Sequence, residues 1–104
     1  MATLRFSRIA KADLLRIGAY SLQTWGEAQT ERYLDTLERC ATALARRPSL
    51  GRPCDSIRPG LYRFEKEQHV FFYRRNVDGI LIARILHRSM LPEPQTFEDL
   101  SPNP

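Results

Sequence analysis

The sequence predicts an α+β domain in which a helix hairpin packs on one face of a mostly antiparallel, four-stranded sheet. Three observations carry that prediction. Two segments in the first half repeat apolar residues at helical spacing and are separated by about one glycine. Three strand-like runs follow in the second half, at Leu61 to Glu67, His69 to Arg75 and Ile80 to His87, joined by turn-forming residues. Between the halves lies a Pro-Gly loop, Arg47-Pro48-Ser49-Leu50-Gly51-Arg52-Pro53.

Taken in order, Thr3-Leu4-Arg5-Phe6 alternates as a short strand and ends at Ser7, a good helix N-cap. In the helix that follows, Ala10, Leu14, Ile17 and Ala19-Tyr20 recur at helical spacing, and Trp25-Gly26 closes it because glycine suits a helix C-terminus. The second helix starts at Glu27, whose carboxylate favours the positive end of the dipole. Its apolar face is Tyr33 or Leu34, Leu37, Cys40-Ala41 and Leu44; Arg46 and Arg47 suit its C-terminal end, and Pro48 stops it. Helices joined so tightly form an antiparallel hairpin with one shared apolar face, expected to bury Leu14, Ile17, Leu37 and Leu44 against the sheet.

Glu67-Gln68 and Asn76-Val77-Asp78-Gly79 are short connections that make the three later runs an antiparallel meander. In the last run, strict alternation puts Leu81, Ala83 and Ile85 on one face, and Ile80, Ile82 and Leu86 on the other with Arg84. Both faces are apolar, so this strand belongs inside the sheet, beside the N-terminal strand. With both helices on one side, the second side needs a cover of its own.

The 104 residues make one domain over 1–92, followed by an acidic, proline-containing tail over 93–104. The net charge is +4, and 14 of the 16 basic residues are arginine, with Lys11 and Lys66 the exceptions. The tail holds Glu93, Glu98 and Asp99 and no base, so residues 1–92 carry 16 basic against 9 acidic residues, a net of +7. Arginine forks suit carboxylates and phosphates, and an acidic partner surface is expected.

No apolar run approaches the roughly 20 residues of a membrane span and the N-terminus lacks a signal-peptide core, so a cytoplasmic protein is expected. Cys40 and Cys54 have neither CxxC spacing nor nearby histidines, and read as helix packing and a loop thiol. His69 has no second ligand in range, so no metal is assigned, and no cofactor motif is present. The aromatics Tyr62, Phe64, Phe71, Phe72 and Tyr73 alternate as core-packing strand residues do.

The order strand, helix hairpin, meander carries several local patterns: Ala10-Lys11-Ala12-Asp13-Leu14, Tyr20, Trp25-Gly26, Ala45 to Gly51, Gly60-Leu61-Tyr62-Arg63, His69-Val70-Phe71-Phe72-Tyr73 and Arg84-Ile85-Leu86-His87. This ordered set resembles the ParE branch of the RelE/ParE toxin superfamily over about residues 3 to 90. The resemblance implies the toxin half of a bacterial type II toxin-antitoxin pair, held in a hetero-oligomer by a ParD-like antitoxin. It also implies DNA gyrase as the target, whereas RelE-type relatives cut mRNA on the ribosome.

Cleaving RNA through its 2′-hydroxyl needs a base, an acid and cations for the developing phosphorane charge. The residues this chain offers for an endoribonuclease are Arg63, Arg84 and His87. The tyrosine near the C-terminus that RelE-type enzymes carry is missing, since the last tyrosine is Tyr73. The favoured expectation is therefore a gyrase poison with no catalytic residues and no sequence-specific nucleic-acid binding. A nuclease, or a non-toxic interaction module on the same fold, stands as the alternative.

An acidic antitoxin segment that folds on docking fits a basic body with an under-covered apolar sheet face. The groove between hairpin and sheet is its expected seat, with Tyr20, Trp25, Tyr33, Arg63, Arg74 and Arg84 as candidate contacts. Each also has a plainer reading. Tyr20 and Trp25 fit core packing better than binding anchors. His87, at a strand end, fits a hydrogen-bonded structural histidine better than a catalytic one. Arg84 either pairs within the fold, with Glu65 or Asp99, or receives an antitoxin carboxylate.

Overall fold

A computed structural model describes residues 2–90. Strand β1 (Thr3–Phe6) leads into helices α1 (Arg8–Trp25) and α2 (Glu27–Arg46), then a 3-10 turn (Pro48–Leu50). Strands β2 (Arg52–Pro53), β3 (Leu61–Lys66), β4 (His69–Arg75) and β5 (Gly79–His87) complete it. The sheet order is β1-β5-β4-β3-β2, with β1 parallel to β5 and the other pairs antiparallel.

The α+β architecture and the hairpin-plus-meander order match the sequence expectation, with one strand more than the four expected. The extra strand comes from the Pro-Gly loop, where Arg52 and Pro53 pair with Arg63 and Tyr62. Proline is tolerated there because β2 is an edge strand, whose outer side needs no donor. Strand β3 stops at Lys66 because Glu67 takes a left-handed conformation, φ 55°, to start the tight turn into β4.

Both helix ends are built from local chemistry. The Ser7 hydroxyl accepts from the Ala10 amide at 2.9 Å and donates to the Ala83 carbonyl at 2.8 Å, so one side chain caps α1 and ties it to β5. Gly26 links α1 to α2 with φ 90° and ψ 179°, a region open to glycine alone. Its amide donates to the Leu22 carbonyl at 3.0 Å. The Thr30 hydroxyl lies 2.8 Å from the Gly26 carbonyl and 3.0 Å from Ser21 Oγ, so the turn's polar groups are satisfied inside the hairpin.

The main core lies between the helices and one sheet face: Leu37, Ala41 and Leu44 of α2 meet Phe71, Tyr73, Ile80, Ile82 and Ile85. Leu14 and Ile17 of α1 pack at its edge, half-buried rather than fully enclosed as expected. A second cluster occupies the other face, where Cys54, Leu61 and Ile57 pack with Val70, Phe72, Ala83 and Leu86. That face is therefore not under-covered: Val70, Phe72, Ala83 and Leu86 are all buried.

The assignment of β5 side chains by strict alternation is also corrected. The register slips between Phe72 and Tyr73, so that Phe72 pairs with Arg84 while Tyr73 pairs with Ile82 and Ala83 is left over. This bulge resets the alternation beyond it: Ala83 lies opposite Ile80 and Ile82 as expected, whereas Ile85 joins Ile80 and Ile82 and Leu86 moves to the opposite cluster.

Candidate functional site

Asp13 organises the space between α1 and the end of β5. It lies on the inward face of α1, the side of Ala10, Leu14 and Ile17, and is 2% exposed. Arg84 donates to it as a fork, Nε to Oδ2 at 2.9 Å and Nη2 to Oδ1 at 2.9 Å. The Ile85 amide adds a third bond at 2.9 Å and Arg16 a fourth. Four donors compensate the buried carboxylate, and the carboxylate compensates an arginine that is only 5% exposed. The internal partner of Arg84 is thus Asp13, not Glu65. Asp99 lies outside the described residues.

Beside this pair opens a cleft of about 700 Å³, walled by α1, α2 and the ends of β4 and β5. Asp13, Ile17 and Tyr20 reach it from successive turns of α1, and Gln29 and Tyr33 from α2, as residues three and four apart on a helix do. Tyr33 Oη lies 2.6 Å from His69 Nδ1 and accepts the Gln68 amide at 3.3 Å. Burial first, and then the neighbouring His87, lower the His69 pKa to about 4. At neutral pH His69 is therefore uncharged, and a hydrogen bond joins its Nδ1 to the Tyr33 hydroxyl.

His87 faces His69 across the strand pair, with ring centroids 5.5 Å apart and edges to faces. Its Nδ1 accepts the Ser89 amide at 3.1 Å, with Ser89 Oγ at 2.9 Å. At the mouth Tyr20 and Trp25 form an edge-to-face pair at 5.9 Å. They are 63% and 58% exposed, so they are not the core residues their type suggests.

The six candidate contacts divide. Tyr20, Trp25 and Tyr33 meet in the cleft. Arg63 and Arg74 pair across the strands with Phe72 and Leu61, on the sheet face opposite the helices. The Arg63 guanidinium lies over the Phe72 ring at 5.6 Å and reaches Glu65 at 3.1 Å, while its buried Nε lacks a hydrogen-bond partner among the described residues. Arg74 runs against Gly60.

Arg63, Arg84 and His87 do not form one constellation either, since each serves a different neighbour: Glu65, Asp13 and Ser89. Tyr73, the last tyrosine, is spent on architecture: its hydroxyl donates to the Pro48 carbonyl at 2.6 Å and accepts the Gly51 amide at 3.0 Å. The thiols offer no nucleophile. Both are buried, with Cys40 pushed up to about 11 by burial and Cys54 raised for the same reason.

Sequence reasoning missed Asp13 and His69 as members of this site. A carboxylate on an otherwise apolar helix face, together with an arginine inside an apolar strand, was the signal available for the first. His69 carried no signal beyond its place at a strand start.

The model of the family described as "ParE toxin of type II toxin-antitoxin system, parDE" matches residues 4–92. The chain belongs to the ParE toxin family. It is 41% identical over 90 residues to Toxin ParE1 of Caulobacter vibrioides, covering 86% of this chain and 93% of that protein. In fold, this ParE family member is similar to a chain of the chromosomal ParDE system from P. aeruginosa, with a TM-score of 0.71 at 22% identity. That match covers 84% of this chain and 96% of the other. A chain of the toxin-antitoxin complex RelBE2 from Mycobacterium tuberculosis is similar too, with a TM-score of 0.65, 23% identity, and coverage of 84% and 98%.

Proposed function

We propose that this ParE-type protein halts bacterial growth by binding and poisoning DNA gyrase, without catalysis of its own, and is neutralised by a ParD-like antitoxin with an acidic C-terminal segment. The observation that carries the reading is the Arg84–Asp13 fork. A phosphoryl-transfer site needs its cations free to meet the charge developing on phosphate, and this arginine is already committed to a buried carboxylate. What remains on the surface suits binding: an aromatic-mouthed cleft and a net charge of +7 before the tail. Antitoxin contacts are assigned to Tyr20, Trp25 and Tyr33 in the cleft, with Arg63 and Arg74 on the opposite face.

Purified protein should inhibit gyrase supercoiling and leave RNA intact. Induction in cells should produce DNA breaks and the SOS response. Co-expression of a small ribbon-helix-helix protein with an acidic C-terminal region should restore growth. The His87→Gln variant should retain toxicity, because an inhibitory surface needs no proton-transfer group. A nuclease deprived of its acid or base loses about 10²- to 10⁴-fold in the chemical step. Ribosome-dependent mRNA cleavage that disappears in folded His87→Gln would overturn the reading.

A further inference from the structure

The sheet face turned away from the helices is sealed beneath and cationic above. Strand register sets Arg5 beside Leu81, Leu81 beside Arg74 and Arg74 beside Leu61, in one row from β1 to β3. Two residues further along β3, Arg63 pairs with Arg52 of β2 on the same face. Arg58 joins them from the loop whose Cys54 and Ile57 pack against this face. Five arginines thus stand here against two acids, Glu65 on β3 and Asp55 on the loop, a net of +3. Asp78, at the turn next to Arg5, is matched by Arg75. Helix α2, on the other side of the molecule, carries four acids against three arginines.

We infer that this helix-free face docks on the phosphate backbone of duplex DNA. Arginine forks match phosphate oxygens in geometry as well as in charge. Several of these forks are held in place by their neighbours. Arg52 and Arg63 share the Glu65 carboxylate at 3.7 and 3.1 Å, Arg63 lies over the Phe72 ring, and Arg74 runs against Gly60. From β1 to β2 the face spans four strand spacings, about 19 Å at about 4.8 Å each. That is the axial length of about five or six phosphates of one DNA strand.

A single strand is a poorer fit, because its recognition relies on bases stacking on exposed aromatic rings. Among the described residues, the one aromatic on this face is Phe72, which is buried beneath Arg63. Contacts to phosphate alone carry no sequence information, so binding is indifferent to sequence. The choice of DNA rests on the gyrase reading above, whose target works on a duplex; the cationic face itself does not. Arg63 and Arg74 are also assigned to the antitoxin, so Arg5 and Arg52 are the pair that tests this inference.

Fluorescence anisotropy with a labelled duplex, repeated over a range of salt concentrations, measures the docking directly. Arg5→Gln/Arg52→Gln should weaken binding and flatten the slope of log K against log salt by about 1.8, at about 0.9 per phosphate contact. Arg32→Gln/Arg39→Gln removes the same charge from α2 and should leave the slope unchanged. All four side chains are exposed, so both variants should fold. Equal losses in the two variants would overturn the face, since net charge alone would then account for binding. Tighter binding to single-stranded DNA or to duplex RNA would overturn the choice of partner, and a strong preference among duplex sequences would contradict backbone docking.

Supercoiling assays separate the inference from the reading it rests on. With both correct, Arg5→Gln/Arg52→Gln inhibits gyrase less than the parent protein, and the α2 variant inhibits it equally. Full gyrase inhibition by Arg5→Gln/Arg52→Gln, with an unchanged duplex slope, would remove the face and leave the gyrase reading. Duplex binding that depends on Arg5 and Arg52, in a protein that does not inhibit gyrase, would remove the gyrase reading and leave the face.

Discussion

At the scale of single residues, the Asp13–Arg84 pair and His69 make the sharpest demands. Removing one member of a buried ion pair leaves an uncompensated charge, at a cost of about 3–5 kcal/mol. Asp13→Ala should therefore lower the urea midpoint strongly, and the double variant Asp13→Leu/Arg84→Met should recover much of the loss. His69 supplies a pH signature. Its pKa is about 4 in the folded protein against 6.5 for the ordinary group. Between those values the unfolded chain holds a proton that the folded chain refuses. Stability is thus complete above about pH 6.5 and falls as the pH drops toward 4. Urea titrations at several pH values should show that slope, and a folded His69→Gln variant should flatten it. Little of this was legible beforehand: an arginine inside an apolar strand signalled a partner, but nothing local said that the partner was a carboxylate 71 residues earlier.

At the scale of elements, the hairpin depends on one glycine and one apolar face. A Cβ on Gly26 would meet nothing within 4 Å, yet its φ of 90° strains any side-chain-bearing residue. Gly26→Ala should cost about 1–3 kcal/mol through the backbone alone, which thermal unfolding would register without any change in packing. Leu37 is fully enclosed between α2 and the sheet, so Leu37→Ala should cost about 2–5 kcal/mol, read from denaturant unfolding. Helix ends and strand runs were legible because caps, turn residues and apolar spacing are local properties. The bulge at Ala83 was not, since it depends on how β5 sits against β4, and it moved Ile85 and Leu86 to the faces opposite those expected. Strand β2 was missed because two residues carry no periodicity.

At the scale of the whole molecule, a body with a net charge of +7 over residues 1–92 should meet an acidic partner with a rate that salt suppresses. Raising the ionic strength should slow antitoxin association more than it speeds dissociation, as stopped-flow mixing would record; a rate indifferent to salt would assign the contact to the aromatic mouth alone. The arginine bias and the tail's opposite charge, on which this expectation rests, are countable in the sequence. So are the α+β class, the hairpin, the meander and the family resemblance, because each is written in spacings of a few residues. Tertiary structure alone decided that Tyr20 and Trp25 stand at a cleft mouth and that Arg63 and Arg74 occupy the far sheet face. It also decided that Arg84 is closed off by Asp13. Those outcomes follow from which faces the strand register and helix packing bring together, and contacts between residues far apart in the chain leave no periodic trace along it.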